Sequence, residues 1–372
     1  MSVRLDIENP FYDNDASGSA FGWDFQVNAA IFLFLKYIDE IESIKVEGKY
    51  QDIEIKKTNN HFIYAQAKSI QDGSLTNRMS KLEDAIISLS KTPATEDDSL
   101  LYISNYSAPI KDSDVFKNQV LSLQNVKNEQ KVFIEQKKKI EDKLTVQISQ
   151  CKNETKKKKL KELKKRIENI DADRFLVASI YPYLNTEQKD DKYQVIIGLI
   201  QDLLTRKFGI SSPNIFKFIY NLLYQWHETF LCNATIPERD REKTKTKMEL
   251  LWQIVVIISN MDIDMSQLFE EELEQDHLDE FEMYYNQKLF IHERFSFFNN
   301  LQSDLVTFLK TNKGKKDIDF IKEKWTQYKD EFREFQNYED LAQEYLIKKC
   351  LYKLIKNKNN IKKIVEGRKN DY

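Results

Sequence analysis

KVEGKYQDIEIKKTNNHFIYAQAKS, residues 45–69, is the stretch on which the fold turns. In its first half Ile53 and Ile55 alternate with Asp52, Glu54 and Lys56, the period of two that marks a half-buried strand. Thr58-Asn59-Asn60 reads as a turn, and His61–Ser69 as the returning strand. On that strand Phe62, Tyr64, Gln66 and Lys68 share one face, with Ile63, Ala65 and Ala67 on the other. Asp52 stands on the first strand, fourteen residues before Gln66. Gln66 and Lys68 lie about 6.5–7 Å apart along the second. If the register sets Asp52 opposite their face, a carboxylate, an amide oxygen and an ammonium converge.

Outward from the hairpin, an α/β order emerges. Upstream, residues 21–42 read as a helix, with Phe25, Ala29, Phe32, Leu33 and Ile41 recurring near helical spacing and no breaker between them. Downstream, a helix is expected at about Arg78–Leu89 and a short buried strand at Ser99–Ser104. Residues 112–170 interrupt this order. There Ile140, Leu144, Ile148 and Cys151, then Leu160, Leu163, Ile167 and Ile170, recur at steps of three and four. Two amphipathic helices joined near Asn153–Thr155 would form an antiparallel hairpin. Arg174–Ile180 is strand-like again and reads as a return to the sheet, which makes the hairpin an insertion. From about Asp190 the chain reads as helix throughout, at 193–208, 215–232, 247–260, 266–312 and 316–357. The expected organisation is an α/β domain over 1–185 with a coiled-coil-like insertion at about 112–170, and an all-α domain over 186–372.

Composition agrees. Among 372 residues only 8 are glycine and 6 proline, so breakers are scarce and long helices are favoured. Cys151, Cys232 and Cys350 form neither a CxxC nor a Cys/His spacing, which argues against zinc and a disulfide framework and fits a reducing compartment. The N-terminus lacks the basic and apolar run of a signal peptide, and no apolar run approaches the ~20 residues of a membrane span. A soluble cytoplasmic protein without a membrane partner is expected. The net charge of −3 is unevenly spread. Lys131–Glu168 holds 14 basic against 6 acidic residues, Asp262–Glu282 holds 10 acidic and no basic ones, and Lys348–Lys369 holds 9 basic residues against Glu366. Each tract reads either as a solvated helix face or as a docking surface, for phosphate in the basic cases and a basic partner in the acidic one. Lys156, Lys157, Lys158 and Lys159 are the candidate nucleic-acid contacts.

Phosphodiester hydrolysis with a divalent ion needs few protein groups. Mg²⁺ or Mn²⁺ takes hard oxygen ligands and keeps several waters, so one or two carboxylates plus the substrate phosphate suffice. The ion polarises the phosphate and acidifies a bound water. A lysine alongside balances the charge that develops on the phosphate oxygens. Asp52, Gln66 and Lys68 meet this description, with Glu54 a further candidate on the face of Asp52, or else a solvated strand residue. Glu47, just before the strand, is a comparable second candidate ligand. D-x-E followed by Q-x-K is weak on spacing alone, and an edge hairpin with ordinary outward polar groups would look alike. No phosphate-binding GxxxxGK[ST] occurs, and His227, beside Glu228, has no second histidine at metal spacing.

A helix, then DIEI, then an apolar run into Tyr-x-Gln-x-Lys-Ser resembles the PD-(D/E)xK nucleases in which glutamine replaces the second acid, as in Mrr-type restriction nucleases. Gly22-Trp23-Asp24-Phe25-Gln26 and the helix that follows are more similar to the double-strand DNA endonuclease domain of bacterial antiphage effectors, namely CBASS effectors that carry a SAVED domain and the effector subunit of Lamassu systems. The resemblance covers about residues 18–110. It implies a restriction-endonuclease-like fold in which Asp52 binds metal, Gln66 takes the second ligand position and Lys68 is the catalytic lysine. Gln26 would approach from the first helix, where relatives often carry an acid. Leu231–Asn260 is faintly similar to the helical docking regions of Lamassu effectors. That likeness implies an SMC-like ATPase and an accessory subunit as partners, restraint by them, and homo-oligomerisation on release to align two active sites on double-stranded DNA. A non-catalytic DNA-binding or partner-docking module and a modification-dependent restriction nuclease are the competing readings.

Overall fold

The computed structural model describes residues 17–106, 124–125, 130–180, 189–210, 215–235, 244–259, 268 and 293–366. The acidic tract 262–282 and the part of the expected helices of 266–312 that precedes residue 293 fall outside these residues, Leu268 apart. An N-terminal α/β region is followed by a region that is helical among the described residues apart from a short extended piece at Thr244–Thr246. By compactness the chain divides into one unit of Met1–Leu33 with Lys45–Val195 and another of Phe34–Ile44 with Ile196–Tyr372.

The α/β region begins with α1 (Ser17–Lys36), β1 (Ile41–Val46), β2 (Ile53–Lys57), β3 (Phe62–Lys68), α2 (Leu75–Leu89) and β4 (Ser99–Ser104). It continues with β5 (Gln124–Asn125), α3 (Gln130–Gln150), α4 (Glu154–Glu168) and β6 (Phe175–Ser179). Six strands lie in the order β5-β6-β4-β3-β2-β1. β3 is antiparallel to β2 with Ile53 opposite Ala65, and parallel to β4 with Gln66 opposite Tyr102 and Lys68 opposite Ser104. β4 and β6 are also parallel, while β5 runs antiparallel to β6.

Parallel neighbours need a crossover, which explains where the helices fall. α2 joins β3 to β4, and the α3–α4 hairpin lies in the connection from β4 to β6. One hydrophobic cluster unites Tyr64, Leu100, Tyr102, Phe175 and Val177 of the sheet with Leu82 and Ile86 of α2 and Phe133, Ile140, Leu144 and Ile167 of the hairpin. The base of the hairpin is therefore part of the core that covers the sheet, and only its far part, around residues 145–159, is mostly exposed. Lys137 on α3 reaches the carbonyl of Ile170 at 2.6 Å and that of Glu168 at 3.1 Å, which ties the two helices at their base.

The expected first helix ran too far. α1 stops at Lys36, a turn closes from the Ile41 N–H to the Tyr37 carbonyl at 2.8 Å, and Ile41–Val46 is a separate strand. Ile41, Ile44 and Val46 are β-branched and fully buried there, so strand packing prevails over a helical period that is only approximate. The stretch that leads into the expected strand is the end of β1 and a turn at 47–52, and β2 begins at Ile53, one residue after Asp52. Gly48 marks that turn. A Cβ on it would run into the Glu54 carboxyl group, so any other residue there would have to push that side chain off the turn.

Two buried polar residues brace β3 and β4 at opposite ends. Asp98 accepts the Phe62 N–H at 2.7 Å and, through its other oxygen, the N–H of Thr95 at 2.7 Å. Asn105 accepts the Ile70 N–H at 2.7 Å and donates to the Ile70 carbonyl at 2.9 Å, securing the chain just past Lys68.

The boundary at Val195 falls within α5 (Lys189–Asp202), which continues into a π-turn at Leu203–Lys207 and is followed in the second unit by α6 (Ile215–Thr235) and α7 (Lys247–Ser259). That unit ends with α8 (Phe295–Thr311), α9 (Asp317–Lys324), a 3₁₀ stretch at Trp325–Phe335, α10 (Asp340–Lys356) and α11 (Lys358–Glu366). α7 is buried on all sides from Leu250 to Ser259, as expected of a central helix. The C-terminal basic tract is not simply a solvated face, because Lys348, Lys349 and Lys353 are buried within α10. Among the described residues no helix is long and apolar enough to cross a membrane.

The Asn105 brace yields a stability prediction. Asn105→Ala strands the buried N–H and C=O of Ile70, at about 1–3 kcal/mol for each unsatisfied group. The α/β region should unfold at a clearly lower urea concentration than in wild type, as followed by circular dichroism. An unchanged midpoint would show that the brace contributes nothing.

Candidate metal and phosphodiester site

Asp52 is the last residue of the β1–β2 turn rather than a member of β2, and that position aims it across the hairpin. The Glu47 N–H donates to the Asp52 carbonyl at 2.7 Å and the Gly48 N–H to that of Gln51 at 3.0 Å, which closes the turn. Glu47 adopts the left-handed conformation at φ 52° that this tight reversal requires. Gln51, 5% exposed, pins the turn from outside. Its amide donates to the Ser88 carbonyl at 3.0 Å and the Thr92 hydroxyl at 2.7 Å, both at the end of α2. Asp52 is thus placed by a turn that is closed at its neck and anchored to a helix.

Since Ile53 stands opposite Ala65, Asp52 extends the ladder to face Gln66. One carboxylate oxygen accepts from the Gln66 side-chain amide and, at 2.9 Å, from the backbone N–H of Ala67. The Asp52 carboxyl is pushed up to about 6, first by burial and then by repulsion from Glu47. The Lys68 ammonium, the Ala67 N–H and the Gln66 amide pull the other way without offsetting the burial. Gln66, Lys68 and Glu47 therefore all bear on Asp52.

Glu54 does not join them. Its carboxylate folds back over the turn and accepts the Tyr50 N–H at 2.7 Å, so it supports the loop that carries Asp52. The equal spacing of Asp52 and Glu54 misleads because Asp52 is already off the strand, where alternation no longer applies. Gln26 lies on α1, one turn after Gly22, whose Cβ position is 3.6 Å from the Ser69 hydroxyl just beyond Lys68. Its side-chain oxygen is buried without a hydrogen-bond partner. Lys156, Lys158 and Lys159 are exposed on α4, whereas Lys157 is half-exposed and 3.5 Å from Glu154.

The donor set suits a hard divalent cation. Two mutually repelling carboxylates, one of them poorly solvated, meet an amide. Among the described residues no three His, Cys, Asp or Glu side chains group into a metal cage, so the set is a sparse one that would leave coordination positions to water and phosphate. Gln51, Asp98 and Asn105 were missed by the sequence reading. Gln51 and Asp98 are each adjacent to a strand and polar where the pattern calls for solvent, and only their burial reveals the role. No protein-family model, curated protein or solved structure matches the chain.

Asp52 sets a pH-dependent stability. In the unfolded chain it ionises near the ordinary value of about 3.9, whereas in the fold it does so at about 6. Its ionisation penalty thus grows between about pH 4 and 6 and persists above, to about 3 kcal/mol. Metal-free Asp52→Asn should therefore melt higher than wild type at pH 7.5 and equal it near pH 4. Equal melting temperatures at both values would contradict the buried, under-compensated carboxylate.

Proposed function

We propose that the α/β region is a restriction-endonuclease-like domain of the PD-(D/E)xK type and that the chain is a metal-dependent DNA endonuclease. The observation that carries this reading is the meeting of Asp52, from the β1–β2 turn, with Gln66 and Lys68 of β3, with the carboxylate held at an elevated pKa by burial. Asp52 and Gln66, with Glu47 near, would hold Mg²⁺ or Mn²⁺. When bound, the ion supplies Lewis-acid polarisation of the phosphate and a more acidic water. The protein's part is positional and electrostatic. Gln51 holds the turn, Gln66 and the Ala67 N–H orient the Asp52 carboxylate, and Lys68 presents its charge to the phosphate oxygens as negative charge builds on them.

Within this reading the chain is an antiphage effector similar to those of Lamassu systems. Its helical region docks an SMC-like ATPase and an accessory subunit, and release permits homo-oligomers that cut both strands. A second reading, a non-catalytic nucleic-acid-binding module, draws support from the single fully committed carboxylate and its neutral glutamine partner.

Plasmid cleavage with Mg²⁺ or Mn²⁺ separates the two. Lys68→Ala and Asp52→Asn should each lower cutting by at least a hundredfold without loss of fold by circular dichroism. Gln51→Ala should lower it about tenfold by loosening the turn. Mn²⁺ affinity, read by calorimetry, should vanish in Asp52→Asn and weaken in wild type as pH falls through 6. Cutting that survives Lys68→Ala, or Mn²⁺ binding that ignores Asp52, would refute the nuclease site.

A further inference from the structure

The end of α2 serves two features at once. Ser88 and Thr92 hold Gln51 and so the Asp52 turn. Between them in sequence, the Lys91 carbonyl accepts from the Arg166 guanidinium of α4 at 3.1 Å. There α4 and the turn that follows α2 border an open cleft of about 270 Å³, lined by Lys156, Lys159, Leu160, Leu163 and Arg166 of α4, with Glu162, and by Lys91 of the turn. Arg166 is 2.7 Å from Glu162, which leaves the three lysines as excess positive charge. All three are exposed, while Leu160 and Leu163 are partly buried and pack on the hydrophobic core beneath.

An apolar floor under a cationic rim has a specific chemical complement. A nucleic-acid backbone alternates sugars, which present C–H surface, with phosphates, which present charge. A sugar can rest on Leu160 and Leu163 while its flanking phosphates face Lys91, Lys156 and Lys159. We infer that this cleft is a sequence-independent contact for the backbone of a DNA duplex, and that it shares its α2 anchor with the turn that carries Asp52. The inference deepens the nuclease reading and rests on it for the choice of DNA as occupant. It also separates cleft lysines from the rest of the basic tract. Lys156 and Lys159 line the cleft, whereas Lys161 and Lys165 are exposed on the same helix but lie outside the lining.

The experiment is duplex binding by fluorescence anisotropy from about 50 to 300 mM salt, with full-length Asp52→Asn protein so that no cutting intervenes. Lys156→Glu/Lys159→Glu is compared with Lys161→Glu/Lys165→Glu, a pair with the same charge change. The cleft pair should weaken binding at least tenfold and flatten the slope of log affinity against log salt by about 2, since each neutralised phosphate accounts for about 0.9 of that slope. The control pair should flatten it by less than half as much. Equal effects from both pairs, or none from either, would overturn the inference, as would loss of binding to phosphatidylserine vesicles with DNA binding unchanged. The outcome is independent of the nuclease reading: a protein that never cuts can still show the cleft-specific slope, and one that cuts can lack it.

Discussion

A carboxylate with too little compensation sits at the centre of this molecule. Asp52 is drawn off solvent by the turn that carries it, receives two N–H donors on one oxygen and feels Lys68, yet burial still dominates its ionisation. Such an arrangement opposes the stability of the metal-free fold and has to be held by its surroundings. Gln51 on the α2 end, the closed neck of the turn and the Glu54 carboxylate over its backbone all serve that purpose. A buried carboxylate with a raised pKa, held in place by its surroundings, is a feature common at functional sites.

The sheet supplies precision through its brackets. Asp98 fixes where β3 begins, and Asn105 fixes the chain beyond its end. Between them the register leaves Gln66 opposite Tyr102 and Lys68 opposite Ser104 with little freedom to slip. The helical hairpin adds to this scaffold, because its lower half completes the core over Tyr64, Tyr102 and Phe175. What periodicity suggests is an appended insertion is at its base a packing element, and only its far part is free to act as a surface.

Much of the fold was legible because its signals are local. The boundaries of β3 and β4, the hairpin of α3 and α4 with its join near Asn153–Thr155, and the return strand at Phe175 follow from alternation and three-four spacing. The division of residues 21–57 was not legible. A helix that ends without glycine or proline and a strand that begins with β-branched residues leave no local mark, and pairing with a neighbouring strand decides the matter.

By itself the sequence determined which chemistry is possible: an acid, an amide and a lysine spaced so that two strands can bring them together. Tertiary structure alone decided that Asp52 leaves the strand while Glu54 stays on it and turns away, that Gln51 is an anchor, and that the basic hairpin borders a cleft on the same helix end. The physical reason is that period and spacing describe one element at a time. Burial, register and the closing of a turn depend on what the rest of the chain places alongside.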